Sequence, residues 1–353
     1  MMHSPASRPI AVFGANGRTG TFVAAELRRR GRPVVLVGRD AVRLAAVAAA
    51  NPESATRIAS TGDAASLDRA LAGTAAVINC AGPFLDTATP LIEAALRAGI
   101  HYLDVTAEQP AAAAAFEGFD VAARQAGVVV APAMAFYGGL ADALATAALG
   151  DRPAADEILV AIALDSWHPT EGTRITGRRN TAPRMIVGDG RMVPLASPAP
   201  TGTWRFAYPF GIQETVELPF SEIVTMARHL PARSIRSLIN SRPLADLRDP
   251  STPAPAPVDD DGRSAQIFMM EVRVRSGSLE RRAAAAGRDI YAISAPIVVE
   301  AATRILDGRV RTASGALAAG QLFDAADFLA ALPLDRLSTD DAWVESALAY
   351  ATS

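Results

Sequence analysis

The chain has 353 residues, half of them apolar, a formal net charge of −3 and a single cysteine, Cys80. That length suits two globular domains, the modest charge with no dense basic run argues against nucleic acid or anionic lipid as main partner, and one cysteine allows neither an intramolecular disulfide nor a cysteine zinc cluster. All 34 residues counted as lysine plus arginine are arginine, which removes Tyr-x-x-x-Lys dehydrogenase sites, Walker-type phosphate loops and Schiff-base nucleophiles.

In chain order, Ile10 to Phe13 is an apolar strand that runs into Gly14, Gly17 and Gly20. Glycines at this spacing serve a dinucleotide pyrophosphate: one for a tight turn, one for close approach of backbone N–H groups, one for helix packing on the sheet. Asn16, Arg18 and Thr19 complete the candidate phosphate loop. A helix from about Arg18, with Thr21 to Arg30 as its body, is closed by Gly31, and residues 33–37 form a buried parallel strand. That strand ends at Gly38-Arg39-Asp40, where an arginine favours a 2′-phosphate. Arg39 therefore predicts NADP(H), Arg43 one turn later could add a second charge, and Asp40 is read as the N-cap of the next helix.

Strands follow at 57–59, 75–80, 102–105 and 128–131, with helices at 64–72 and 110–125 and one opened by Thr89 and Pro90 and closed by Gly99. The fold class is α/β, a Rossmann-type doubly wound parallel sheet over residues 1–150. Ligands of such sheets sit beyond the carboxyl ends of the strands. Asn79, Gly82 and Pro83 after strand four are candidate cofactor contacts, while Cys80 reads as a buried apolar residue. Asp104 ends strand five on the face of Tyr102, with Glu108 just beyond; an acid in a partly dry cleft can exchange a proton during hydride transfer. Tyr137, after strand six, is a second candidate proton donor.

From 151 to 353 the pattern changes to a second α+β domain, with strands at 158–164, 203–208 and 267–274, an exposed Pro-rich stretch from Pro250 to Gly262, and a helix over 290–305 carrying Pro296 near its start. Here Thr173 and Arg174, before a predicted helix, are candidate ligands for a substrate carboxylate, and His168 beside them is the histidine best placed for catalysis. The C-terminal segment is expected to return to the first domain, and a homodimer through the second is one open arrangement. No His/Cys/Asp spacing suggests a metal. The absence of a membrane-length apolar run or a signal-type N-terminus predicts a cytoplasmic protein.

The glycine loop, Val77 to Phe84, His101 to Glu108 and Ser314 to Asp324 together resemble the saccharopine dehydrogenase-like oxidoreductases. The resemblance implies hydride transfer between NADP(H) and a small molecule, at a C–N or C–O centre or, in some members, a C=C bond. It departs from the family pattern at Ala107, where glycine is frequent, and in lacking the lysine that some members use as acid/base. Residues 180–265 match least and are expected to choose the substrate. Two other readings share the fingerprint. One is a non-catalytic NADP-binding regulator, for which Asp104, Tyr137 and Arg174 need not converge; the other is an enoyl reductase on a lipid-like substrate, with a wide apolar pocket.

Overall fold

The computed structural model describes residues 8–339. Both ends of the expected domain ranges, including the N-terminal run, lie outside these residues. The first half alternates strand and helix: β1 (Ile10–Phe13), α1 (Arg18–Arg29), β2 (Val34–Gly38), α2 (Ala41–Ala49), β3 (Ala55–Ile58), α3 (Ala64–Leu71), β4 (Ala76–Asn79), α4 (Phe84–Ala98), β5 (His101–Asp104), α5 (Gln109–Ala126) and β6 (Val129–Ala131). A π-helical turn at Phe136–Leu140 then leads into α6 (Ala141–Leu149).

The second half contains β7 (Ala155–Leu164), α7 (Glu171–Arg179), β8 (Met185–Gly188), β9 (Arg191–Pro194), β10 (Thr201–Arg205), β11 (Ile212–Glu217), α8 (Ser221–Ala227), β12 (Ala232–Asn240) and α9 (Pro243–Arg248). It continues through β13 (Ile267–Ser276), β14 (Leu279–Arg288), α10 (Ile290–Leu306), β15 (Gly315–Ala316), α11 (Ala319–Leu322), α12 (Ala325–Ala330) and β16 (Arg336–Ser338).

The first sheet is wholly parallel in the order β15-β6-β5-β4-β1-β2-β3, so the late strand β15 extends it beside β6. Every residue of β1 is buried, as a strand covered on both faces requires. Alternation sends Ile10 and Val12 into a core shared with the second sheet, and Ala11 and Phe13 into the opposite layer with α3 and α4. The second sheet is mixed, ordered β10-β11-β12-β7-β13-β14-β16, with β8 and β9 attached beside β12. Its only parallel pair on that path is β12 with β7.

Caps largely follow the residues. Asp40 accepts from Val42 N and Arg43 N at 3.0 Å, and Gly31 and Gly99 take the left-handed backbone that closes their helices. One helix start differs from expectation: α4 begins at Phe84, not Thr89, with Pro90 inside it. The cause is tertiary, because Glu108 from beyond β5 caps the amides of Phe84 and Leu85 at 2.7 and 3.2 Å.

Candidate active site

The three glycines divide their work as the spacing requires. Gly14 adopts φ +78°, and a Cβ there would lie 2.8 Å from the Cβ of Ala81 beyond β4. At Gly20 a Cβ would come within 2.2 Å of the Gly14 carbonyl, so α1 can pack against the turn only without a side chain. Gly17 is different: its Cβ would meet nothing closer than 3.4 Å, and the residue is exposed. The amides of Arg18, Thr19 and Gly20 find no carbonyl partner among the described residues, which leaves the positive end of a 12-residue helix open to an anion. Asn16 folds over the end of β2, its Oδ1 lying 3.2 Å from the place a Cβ on Gly38 would occupy. Arg39 beyond it is exposed, and Arg43 reaches Glu171 of α7 at 3.9 Å.

Across the ends of β4, β5 and β6 runs a buried polar chain. Thr87 donates to the Ala81 carbonyl at 2.6 Å, and Asn79 donates to Thr87 and to the Tyr102 hydroxyl. Tyr102 in turn donates to Asp104 at 2.8 Å, and Asp104 also accepts from Thr106 N at 3.0 Å and Ala133 N at 2.7 Å. Burial pushes the Asp104 carboxyl up to about 6 against the pull of these donors. This chain sets the shape of three loops, including Ala133 at φ +58°.

A cavity of about 570 Å³ opens beside those loops, between the first sheet and the second half of the chain. From the first side come Thr19, Cys80, Gly82, Glu108 and Tyr137; from the second, Thr173, Arg174, Trp167, Phe220 and Tyr291. Gly82 lies against α7, for a Cβ there would meet Thr176 Oγ1 at 2.8 Å. The Tyr137 ring stacks on Phe220 at 4.1 Å with 30° between planes. Its hydroxyl is buried and has no hydrogen-bond partner, and burial raises its pKa well above the ordinary 10, so the phenol keeps its proton at neutral pH.

Four arginines, Arg174, Arg178, Arg184 and Arg248, line the same cavity, and none makes an ion pair with a carboxylate among the described residues. Arg184 donates to the Pro219 carbonyl at 2.5 Å and lies 4.9 Å over the Phe220 ring. Burial lowers its pKa, while the charge of Glu222 acts the other way. Glu222 is fully buried on α8 and accepts from Phe220 N at 2.9 Å, with Ser237 beside its carboxylate. Burial lifts it to about 7. A larger hollow of about 910 Å³ lies on the far side of α1 against α10, but its Arg29 and Arg263 are bonded to Glu26 and Asp259.

Residues 10–131 match the family model of the saccharopine dehydrogenase NADP-binding domain. These residues form a saccharopine dehydrogenase-type NADP-binding domain. The fold of the chain resembles that of the L-Glu-forming saccharopine dehydrogenase of Saccharomyces cerevisiae, at 13% identity over 91% of this chain and 96% of that one, with a TM-score of 0.63. Partial likenesses extend to a nucleoside-diphosphate-sugar epimerase from Pseudomonas aeruginosa (23% identity, 44% and 63% of the two chains, TM-score 0.30) and a triphenylmethane reductase from Citrobacter sp. (21%, 27% and 36%, TM-score 0.24). No curated protein sequence matches. In this NADP-binding domain the cradle at Gly17 and the open amides after it fit the NADP pyrophosphate.

The structure gathers some of the candidate residues and separates others. Thr19, Gly82, Glu108, Tyr137, Thr173 and Arg174 all line the cavity. Glu108 does so with both oxygens committed to α4, and Arg174 holds the carbonyls of Asp249 and Thr252 while lining the wall. Asp104 does not reach the cavity: the Ala133 turn folds over the end of β5 and uses the carboxylate as an internal acceptor, so the proton-transfer role is withdrawn. Asn79 is likewise spent inside, on Thr87, Tyr102 and Ala81 N. His168 is half-buried off the lining, and the Arg18 guanidinium turns to the second half of the chain.

Residue-by-residue reading missed Arg178, Arg184, Trp167, Phe220, Glu222 and Tyr291. Most belong to segments without a motif. Tyr291 alone carries a signal, the Asp289 N-cap before an apolar helix.

Proposed function

We propose that the protein transfers a hydride between NADP(H) and a small anionic substrate at a C–N or C–O centre, within the 570 Å³ cavity. The observation that carries this reading is the set of four arginines, half-buried Arg174 and Arg184 with exposed Arg178 and Arg248, without ion-paired carboxylates among the described residues, around a phenol without a partner there. Half-buried cations such as Arg184 left unpaired are costly unless an anion completes them, and guanidinium forks suit carboxylates. Thr173 and Arg174 would hold one acidic group and Arg184 another. Trp167, Phe220 and Leu247 would cover the carbon skeleton and exclude water.

Bound NADP(H) supplies or accepts the hydride through its nicotinamide. Gly14 to Gly20 would hold the pyrophosphate, Arg39 would meet the 2′-phosphate, and Gly82 and Pro83 would leave room for the nicotinamide end beside β4. Tyr137, protonated at neutral pH, donates a hydrogen bond to the substrate oxygen or nitrogen and gives up its proton as negative charge develops there. Its stacking on Phe220 fixes that direction. The arginine-rich wall also separates this reading from a lipid-type enoyl reductase. The test is a survey of acceptors followed by NADPH absorbance: carbonyl and imine compounds bearing carboxylates should be reduced, and preferential reduction of neutral enones would overturn the assignment.

A further inference from the structure

Arg18 stands at the first helical position after the phosphate cradle, yet its side chain crosses to the other half of the molecule. Its guanidinium donates to Asp289 Oδ2 at 2.7 Å and to the carbonyls of Pro255 and Gly262 at 3.1 and 3.2 Å, and lies 5.1 Å over the Phe22 ring. The pair is withdrawn from water, with side-chain exposures of 19% and 0%. Asp289 occupies the joint between β14 and α10 with φ +53°, a left-handed backbone that aspartate tolerates better than most residues. Oδ1 accepts from Tyr291 N and Ala292 N at 3.0 and 3.1 Å, capping α10, while Oδ2 accepts from Ser264 N at 2.8 Å.

What Asp289 holds in place is a wall of the cavity. Tyr291, two residues on, accepts from Trp167 Nε1 at 3.1 Å and meets Thr173 Oγ1 at 3.0 Å. Thr173 is bonded to Thr170, the N-cap of α7. One turn along α10, Ser294 Oγ accepts from Phe136 N at 3.3 Å, beside Tyr137. Hydrogen bonds and the first turn of α10 together therefore connect the nucleotide loop, through Arg18 and Asp289, to Trp167, Thr173 and the Tyr137 turn.

We propose that the Arg18–Asp289 ion pair is a strut that couples occupancy of the nucleotide loop to the order of the substrate wall. Both are positioning residues: an anion seated on the amides of residues 18–20 fixes the base of the Arg18 side chain, and the fixed guanidinium holds the start of α10. The proposal rests on the cavity being the substrate site, but its test needs no turnover, so its failure is distinct from that of the acceptor survey.

The measurement is amide hydrogen exchange with and without saturating NADPH, in wild type, Asp289→Asn and Arg18→Met. Asparagine keeps an Oδ1 cap for Tyr291 N and Ala292 N and tolerates the left-handed backbone, while its Nδ2 replaces the oxygen that accepts from Arg18 and Ser264 N, so Asp289→Asn breaks the strut and keeps the cap. In wild type, NADPH should slow exchange at Ser264, Tyr291 and Ala292 by about tenfold, within the usual range of coupling between sites. In Asp289→Asn, NADPH should still protect residues 14–20, while its effect at the three distant amides drops below about twofold; Arg18→Met should lose the same distant effect. A merely structural role would speed exchange equally with and without NADPH. Equal NADPH-induced slowing in a folded variant, or none at Tyr291 and Ala292 in wild type, overturns the proposal. If one variant fails to fold, the other decides.

Discussion

Replacing Arg184 by methionine separates a ligand-holding cation from a structural one. Arg304 supplies the contrast: it is buried between Glu300 and Asp327, each at 2.6 Å, with Phe323 and Phe328 beneath it. Breaking such a pair leaves uncompensated charge, and Arg304→Met should cost about 3–5 kcal/mol of stability. Arg184 has no ion pair to lose. Its substitution forfeits the bond to Pro219 O and the contact with Phe220, about 1–2 kcal/mol together, and removes a desolvation cost of comparable size. Glu222, deprived of the Arg184 charge, is simply protonated more readily, since burial has already lifted it to about 7. The net change in unfolding free energy should be under about 1 kcal/mol. Against this, a charge-assisted bond to a substrate carboxylate is worth about 1.5–3 kcal/mol, so kcat/KM for the preferred anionic acceptor should fall by about 10- to 150-fold. Urea unfolding and steady-state kinetics on both variants provide the assay. If Arg184→Met unfolds as readily as Arg304→Met, or retains full activity on anionic acceptors, the account of an unpaired substrate-binding arginine is refuted.

Other substitutions probe the rest of the site. Arg39→Ala should weaken NADPH binding by about fivefold to tenfold, as expected for one exposed charge facing a phosphate, and leave NADH binding unchanged; equal losses for both would refute the 2′-phosphate role. Tyr137→Phe removes a hydroxyl with no partner in the fold, so its unfolding midpoint should match wild type while kcat drops by about 10²-fold or more; loss of stability without loss of kcat would assign the phenol to packing. Glu222, raised from 4.5 to about 7, binds its proton more tightly folded than unfolded. Its contribution is thus full below about pH 4.5 and lost as pH rises through about 7, a change of about 3 kcal/mol. Glu222→Gln should gain on wild type by about that amount between pH 4 and pH 8, and a pH-independent difference would contradict the burial argument.

The nucleotide half was legible because its constraints are local. Gly14 needs a left-handed backbone and Gly20 a close helix, so the residues themselves declare the loop. The same logic failed at α4, where the cap is Glu108, 24 positions along the chain from Phe84. It failed again for Asp104 and Asn79: their position at strand ends is legible, but whether a side chain faces the cavity or the neighbouring strand depends on the Ala133 turn and on Tyr102. Arg184 and Phe220 have no motif, and only the packing of α8 against the Tyr137 turn and of β8 against α8 makes them part of the site. Arg18 was drawn toward the cofactor by its place in the loop, whereas its partners are 237 to 271 positions away.

The most direct test of the central claim uses NADPH carrying deuterium at the transferring position of the nicotinamide, with the preferred carboxylate-bearing acceptor from the survey. Mass spectrometry should find one deuterium on the former carbonyl or imine carbon of the product, with transfer sharply reduced in Tyr137→Phe and Arg184→Met. Tight NADPH binding without deuterium in any product would contradict hydride transfer in this cavity.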